Sequence, residues 1–128
     1  MQIAQGANGT VLVIDDEPTI RMLVAESLQE HGYTAIEADN GPDGLRILQS
    51  NARIDLLVTD VGLPGGLDGR QVADAAREAR PGLKVLVITR FAGNVVVAEW
   101  LLAAGMTVVT KPFDLSIFSQ KVRSLING

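Results

Sequence analysis

The chain has 128 residues, of which 47% are hydrophobic, enough for one globular domain with a core of its own. It contains no cysteine, which excludes disulfide bonds, thiolate metal sites and thiol catalysis, and we expect a reducing compartment, the cytoplasm. The formal net charge of -4 argues against nucleic acid as a direct partner, and the longest apolar stretch, residues 95–106, is too short for membrane insertion.

The first part of the chain predicts a tail, a strand and a helix. Residues 1–9 are polar and contain glycine, so we expect a flexible tail before a single domain at residues 10–128. A buried strand is predicted at residues 11–14, and a helix then begins near Pro18 and ends at Gly32. His31 lies in the last turn of this helix and is expected to be a solvated cap. The inward face of the helix is predicted to carry Ile20, Leu23, Val24 and Leu28.

The remaining segments continue the alternation of strands and helices. A strand at residues 34–38 precedes a turn at residues 40–42 and a short helix marked by Leu45 and Leu48. A strand at residues 54–59 ends at Asp60, and a loop rich in glycine follows at residues 62–69. The next predicted elements are a helix at 71–80, a strand at 84–89, a helix at 95–104 capped by Asn94 and a strand at 107–110. The last is a helix capped by Asp114, whose inward residues are predicted to be Leu115, Phe118, Val122, Leu125 and Ile126. This alternation favours a parallel sheet covered by helices on both faces.

Polar residues stand where four of the predicted strands end. Asp15 and Asp16 follow the first strand, Asp60 the third, Thr89 the fourth and Lys111 the fifth. Because the carboxyl ends of parallel strands lie at one edge of the sheet, these side chains are expected to converge. Clustered carboxylates favour a hard divalent cation, Mg²⁺ with Mn²⁺ as a substitute, while lysine and threonine can hold phosphoryl oxygens. A carboxylate such as Asp60 can then act as a nucleophile on phosphorus.

These residues lie in a set of short motifs with a definite order. The motifs are Val-Ile-Asp15-Asp16-Glu, Val-Thr-Asp60, Leu-Pro-Gly-Gly-Leu-Asp-Gly69, Val-Ile-Thr89 and Thr-Lys111-Pro112-Phe. Over residues 10–127 the sequence resembles a response-regulator receiver domain of bacterial two-component signalling, and in particular the C-terminal receivers of hybrid sensor histidine kinases. The resemblance implies a flavodoxin-like (βα)5 three-layer sandwich whose five-stranded parallel sheet has the order 2-1-3-4-5.

The resemblance also implies a role for each matching residue. Asp60 would be the phosphoacceptor, and Thr89 and Lys111 would contact the phosphoryl group. The peptide bond between Lys111 and Pro112 would be cis. The Mg²⁺ ligands would be Asp16 directly, Asp15 mainly through water, Asp60, and the backbone carbonyl of Gly62.

The resemblance further implies partners and a switch. The phosphoryl donor would be a phosphohistidine on a histidine kinase or a phosphotransfer domain. Phosphorylation would change the conformation and control a partner or a fused output, with a hybrid kinase as a fusion or docking partner. A weak homodimer would form through the face of helix four, strand five and helix five. The domain would assist its own phosphorylation and dephosphorylation without turning over a separate substrate.

Three positions depart from the usual receiver pattern. Val108 stands where many receivers carry Tyr or Phe, and Gly65-Gly66 makes the loop after Asp60 one residue longer. Arg90 and Phe91 follow Thr89, where a small residue is common. A binding module that keeps the fold but no longer switches is therefore a second hypothesis.

Two functions with different chemistry are less well supported by the sequence. A small phosphohydrolase with an aspartyl intermediate needs a second acid close after the nucleophile, and this chain has Gly62 two residues after Asp60. A flavin-binding domain of the same architecture is disfavoured, because Asp15-Asp16 would repel the flavin phosphate.

Overall fold

The computed structural model describes residues 8–60, 69–89, 95–111 and 113–127, which form five strands alternating with five helices. The strands are β1 (Gly9–Ile14), β2 (Tyr33–Ala38), β3 (Leu56–Asp60), β4 (Lys84–Thr89) and β5 (Thr107–Thr110). The helices are α1 (Pro18–Glu30), α2 (Gly41–Leu48), α3 (Gly69–Ala79), α4 (Val95–Ala104) and α5 (Leu115–Asn127). None of the described helices is long and apolar enough to cross a bilayer.

The strands form one parallel sheet in the order β2-β1-β3-β4-β5, which confirms the predicted 2-1-3-4-5 topology. The central strand β3 pairs with β1 through Leu57 and Leu12, and with β4 through Val58 and Leu86. All five residues of β3 are buried. This explains the apolar run at residues 56–58, since helices cover both faces of the strand.

Two hydrophobic clusters lie on opposite faces of the sheet, because successive strand residues point to opposite sides. One cluster joins the strands to α2, α3 and α4, and its members include Leu12, Ile14, Leu57, Val87, Leu48, Val72, Ala76, Trp100 and Leu101. The other joins the strands to α1 and α5, and its members include Val13, Val58, Leu86, Ile88, Val24, Leu28, Phe118 and Val122. The predicted three-layer sandwich is therefore confirmed.

Two predicted boundaries are wrong. The residues expected to form a turn at 40–42 are the N-cap and first turn of α2, because the Asn40 side chain accepts a hydrogen bond from the Asp43 N–H at 2.8 Å. The third strand is Leu56–Asp60 and not residues 54–59. Asp55 precedes it, accepts the Thr10 N–H on its carboxylate at 2.8 Å and donates its own N–H to the Thr10 carbonyl oxygen at 2.8 Å. Like β3, the other elements for which limits were predicted start and end within two residues of those limits.

Two leucines expected in the core lie at the surface. Leu23 on α1 is 42% exposed and Leu115 on α5 is 37% exposed, although Val24 and Phe118 beside them are buried as predicted. Both leucines line a groove of about 530 Å³ between α1 and α5. Helical periodicity predicts the direction of a face, but how far a neighbouring helix covers it depends on the packing.

The end of α1 and the start of α5 agree with the sequence. Gly32 follows α1 with φ of +88°, a conformation that favours glycine, and His31 is an exposed cap whose Nδ1 lies 2.7 Å from the Ser27 carbonyl oxygen. The Asp114 carboxylate accepts the Ser116 N–H at 2.7 Å at the start of α5. The division into a tail at 1–9 and a domain at 10–128 stays a prediction, and β1 begins at Gly9.

Candidate functional site

The carboxyl ends of β1, β3 and β5 place three of the predicted residues at one edge of the sheet. Asp15 follows β1, Asp60 is the last residue of β3, and Lys111 follows β5. Asp15, Asp16, Glu17 and Asp60 each offer one carboxylate oxygen, and these four oxygens lie within 4.8 Å of one another. We call these four residues the acidic cluster. The convergence expected from the strand ends is therefore found for both aspartates after β1 and for Asp60.

Lys111 is the cation of this cluster. Its Nζ lies 2.9 Å from Asp60 Oδ2, 2.9 Å from Glu17 Oε1 and 3.8 Å from Asp15 Oδ2. The lysine side chain is 10% exposed, so these contacts are only weakly screened by water. One ammonium group against four carboxylates leaves the cluster with excess negative charge.

One carboxylate oxygen of Asp15 has no hydrogen bond among the residues that the structure describes. The Asp15 N–H donates to the Ala38 carbonyl at 3.1 Å, and its Oδ1 accepts the Glu17 N–H at 2.9 Å. Its Oδ2 is buried and accepts no hydrogen bond from the described part of the chain, with Lys111 Nζ at 3.8 Å beyond hydrogen-bond reach. A buried acceptor without a partner is costly, and a bound cation would satisfy it.

The pKa shifts in the cluster reflect burial opposed by the lysine. Burial raises the pKa of Asp15 above its usual 3.8, the charges of Asp60 and Glu17 add to this, and the Glu17 N–H and Lys111 oppose it. Burial likewise raises the pKa of Asp60, although its hydrogen bond to Lys111 acts in the opposite direction. Burial lowers the pKa of Lys111, but its bonds to Asp60 and Glu17 and its negative neighbours outweigh this, so the pKa of Lys111 is raised.

Thr89 lies beside Lys111 because β4 and β5 are paired. Thr89 is the last residue of β4, is fully buried, and pairs in register with Thr110. The Lys111 N–H donates to the Thr89 carbonyl oxygen at 2.9 Å. The backbone thus keeps the hydroxyl-bearing residue and the lysine at the same edge as Asp60, whose own register partner is Ile88.

The donor set fits a hard divalent cation. The carboxylates of Asp15, Asp16 and Asp60 are oxygen ligands of the kind that Mg²⁺ prefers, and Asp15 Oδ2 has no hydrogen bond from the described residues. Asp16 is exposed, so a hydrated ion can reach the cluster. Gly62, predicted to add a backbone carbonyl, lies outside the described residues, as do Pro112, Phe91 and Gly65-Gly66.

Glu17 is a member of the site to which the sequence pattern assigned no role. It is the N-cap residue of α1, yet its carboxylate does not cap the helix and instead bonds Lys111 at 2.9 Å. A signal is present in the sequence, because Glu17 is the third acid of the run after β1 and precedes a helix. Its pairing depends on the distance between β1 and β5, which are separated by β3 and β4 in the sheet.

With this geometry in place, comparison with known proteins identifies the class. The family model of the response regulator receiver domain matches residues 11–123. The chain belongs to the response regulator receiver domain family. It is a phosphoacceptor signalling domain of the kind found in two-component systems and phosphorelays, and such domains pair with histidine kinases and hybrid kinases.

Several relatives show the range of proteins that carry this domain. The chain is 34% identical over 133 residues to the probable transcriptional regulatory protein TcrX of Mycobacterium tuberculosis, covering 98% of this chain and 53% of TcrX. It is 27% identical over 119 residues to sporulation initiation phosphotransferase F of Bacillus subtilis, covering 93% of this chain and 94% of that protein. The receiver domain of hybrid histidine kinase CckA is 30% identical, with a TM-score of 0.76, covering 92% of this chain and 99% of that one. This chain thus spans about half of the length of TcrX.

Proposed function

We propose that Asp60 receives the phosphoryl group from a phosphohistidine of a histidine kinase or phosphotransfer domain. The observation that carries the proposal is the position of Asp60, a buried carboxylate at the end of the central strand, bonded to Lys111 at 2.9 Å inside the acidic cluster. A carboxylate oxygen of Asp60 forms the new O–P bond as the N–P bond of the donor breaks. The electron pair of that bond returns to the imidazole nitrogen.

We propose for the neighbouring residues the roles that the family resemblance implies. Mg²⁺, or Mn²⁺ in its stead, would be held by Asp15, Asp16, Asp60 and the Gly62 carbonyl, and when bound it neutralises charge on the transferred group. Lys111 stabilises one phosphoryl oxygen, and Thr89 donates its hydroxyl hydrogen bond to another. We propose no turnover of a separate substrate: the domain assists its own phosphorylation and dephosphorylation.

The groove beside the site suits the phosphohistidine domain. Glu17, a member of the acidic cluster, and Lys111, which contacts the cluster, both line the groove, and its other lining side chains are apolar. Leu23 and Leu115 offer exposed apolar surface there. A donor domain seated in this groove would bury that surface and place its phosphohistidine next to Asp60. A cytoplasmic location, fusion to or docking on a hybrid kinase, the weak homodimer and the lack of a nucleic-acid partner stay predictions.

The phosphorylation site is tested by intact-mass analysis after incubation with acetyl phosphate, with and without Mg²⁺. We expect the wild type to gain one phosphoryl group only when Mg²⁺ is present, and Asp60→Asn to gain none. Asp114→Asn is the matched control, because asparagine also caps a helix and Asp114 lies at the start of α5. A comparable phosphorylated fraction in Asp60→Asn would show that another residue accepts the group.

A further inference from the structure

Arg21 forms hydrogen bonds with three elements next to the acidic cluster. Its Nη1 donates to the Asp15 carbonyl oxygen at 2.8 Å, and its Nε donates to Glu37 Oε1 on β2 at 3.3 Å. The Arg21 backbone N–H donates to the Glu17 carbonyl in the first turn of α1. The arginine side chain is 19% exposed. A single residue therefore joins α1, the end of β1 and the end of β2.

We propose that Arg21 is a positioning residue of the divalent-metal site, an inference that rests on the proposed function. It holds the peptide group between Asp15 and Asp16, and so sets the direction of both carboxylates. The polar groups of Asp15 are anchored by Ala38, Glu17 and Arg21, and Oδ2 alone has no hydrogen bond from the described residues. This anchoring leaves Oδ2 as the oxygen that faces the cation site.

An arginine suits this task better than a lysine. The planar guanidinium can donate in two directions at once, here to a backbone carbonyl and to a carboxylate, whereas one ammonium group makes a less directed contact. Residues that orient metal ligands without touching the metal typically contribute about 10- to 100-fold to metal affinity. Glu37 accepts a hydrogen bond from the Arg21 guanidinium and so holds it in place. Glu37 would therefore affect the metal site only through Arg21.

Charge and geometry predict opposite effects of removing Arg21. A positive charge near the site repels Mg²⁺, so its loss alone would tighten metal binding. Loss of the hydrogen bond to Asp15 frees the ligand-bearing peptide and weakens binding. The sign of the change therefore separates a positioning role from a purely electrostatic one.

The test is calorimetric titration of the metal-free chain with Mg²⁺. We expect binding to weaken about tenfold in Arg21→Met and by a smaller factor in Arg21→Lys. Arg46→Met is the matched control. Arg46 and Arg21 both line a second surface groove, distinct from the one between α1 and α5. The Arg46 side chain, however, pairs with Asp43 and is 75% exposed. The Mg²⁺ affinity of Arg46→Met should stay within about twofold of the wild type.

A second readout distinguishes positioning from loss of stability. The half-saturating Mg²⁺ concentration for phosphorylation by acetyl phosphate should rise in Arg21→Met, whereas the rate at saturating Mg²⁺ should stay close to that of the wild type. Unfolding with a chelator present shows whether the variant is folded. If Arg21→Met does not fold, the Mg²⁺ affinities of Arg21→Lys and Glu37→Gln test the inference instead. Unchanged Mg²⁺ affinity in both variants overturns it.

A failure of the positioning role and a failure of the metal site give different results. Unchanged or tighter Mg²⁺ binding in Arg21→Met, while Asp16→Ala loses binding, overturns the role of Arg21 alone. A wild-type chain that binds no Mg²⁺ overturns the metal site of the proposed function and this inference with it.

Discussion

Lys111 Nζ lies 2.9 Å from Asp60 Oδ2, and the same ammonium group lies 2.9 Å from Glu17 Oε1. The lysine is thus shared between the proposed phosphoacceptor and an acid at the start of α1. A phosphoryl dianion on Asp60 offers several strong acceptors, so Lys111 should move toward it and leave Glu17. We therefore expect the contact between Lys111 and Glu17 to be lost when Asp60 is phosphorylated.

Replacing Lys111 by methionine should separate metal binding from phosphoryl transfer. Lys111→Met removes the cation that competes with Mg²⁺, so calorimetry should show affinity equal to or tighter than that of the wild type. Phosphorylation by acetyl phosphate should fall at least about tenfold, because the transferred group loses a stabilising charge. Lys121→Met, on α5, is the control and should change neither quantity. Wild-type phosphorylation in Lys111→Met would contradict the role given to this residue.

Removing Asp16 should weaken Mg²⁺ binding and raise the thermal stability of the metal-free chain. Asp16 is a proposed ligand, and its charge adds to burial in raising the pKa of Asp60, so its loss relieves repulsion in the cluster. Asp16→Ala and the control Glu78→Ala, an exposed acid on α3, each remove one negative charge. Calorimetry is preferable to Trp100 fluorescence, because Trp100 is not a member of the acidic cluster. Its indole N–H donates to Asp74 Oδ1 at 3.3 Å. Equal Mg²⁺ affinity in Asp16→Ala and the control would remove Asp16 from the ligand set.

The acidic cluster should make the metal-free stability depend on pH. Burial raises the folded-state pKa values of Asp15 and Asp60 above 3.8, so the folded chain binds these protons more tightly than the unfolded chain. Their stabilising contribution is complete below 3.8 and is lost as the pH rises through the raised pKa values. Lys111 does not change this trend, because its raised pKa lies above 10.5.

The measurement is the free energy of unfolding with a chelator present, from about pH 4 to neutrality. The free energy of unfolding of the wild type, relative to that of Asp60→Asn, should decrease as the pH rises. Mg²⁺ affinity should increase over the same range, since protons compete with the metal for the carboxylates. A difference independent of pH would mean that the Asp60 carboxylate is not held in an unfavourable charged state.

Gly44 allows α2 to pack closely on the strand that leads into the site. An added Cβ would overlap Cδ1 of Ile14 and lie 2.8 Å from its Cγ1, and Ile14 directly precedes Asp15. We expect Gly44→Ala to destabilise the chain by about 1–3 kcal/mol, although alanine favours helix by about 1 kcal/mol. Ile14→Val removes Cδ1 and should partly rescue it. Denaturant unfolding of both single variants and the double variant checks this, and strictly additive losses would argue against the clash.

Much of the candidate site was predictable because the apolar runs that indicate buried strands end at the polar residues of the site. The apolar runs before Asp15, Asp60 and Thr89 are buried strands, and parallel pairing brings their ends together. The order of the strands came from the family resemblance, since hydrophobic periodicity does not determine which strands are neighbours. The sheet edge, and the residues on it, thus followed from the sequence and the family together.

The parts that could not be predicted depend on distances between elements. Glu17 contacts Lys111, and Arg21 contacts Asp15 and Glu37, but no local sequence pattern shows these contacts. Leu23 and Leu115 fit the periodicity of buried faces, yet α1 and α5 leave a groove between them. In each case the missing quantity was the packing of one element against another.

The conformational signal is predicted to leave the site without the swing of an aromatic side chain. Val108 pairs with Val87 and packs against the hydrophobic cluster that contains Trp100 and Leu101 of α4. As a β-branched residue it cannot swing a bulky ring inward, as the aromatic at this position would. We therefore predict output through α4, β5 and α5 by movement of residues 90–97, with Phe91 as the candidate large side chain.

Amide chemical shifts with and without beryllofluoride test this route, with Trp100 fluorescence as a second readout. Thr89 should move toward the phosphoryl mimic, and residues 90–97 should shift with it. Trp100 should respond because its ring lies 5.7 Å from the Arg70 guanidinium on α3, a contact that depends on the position of α4. Asp60→Asn, treated in the same way, is the control and should show neither change. Shifts confined to Thr89 and Lys111, with residues 90–97 and Trp100 unchanged, would identify the chain as a binding module that accepts a phosphoryl group without switching.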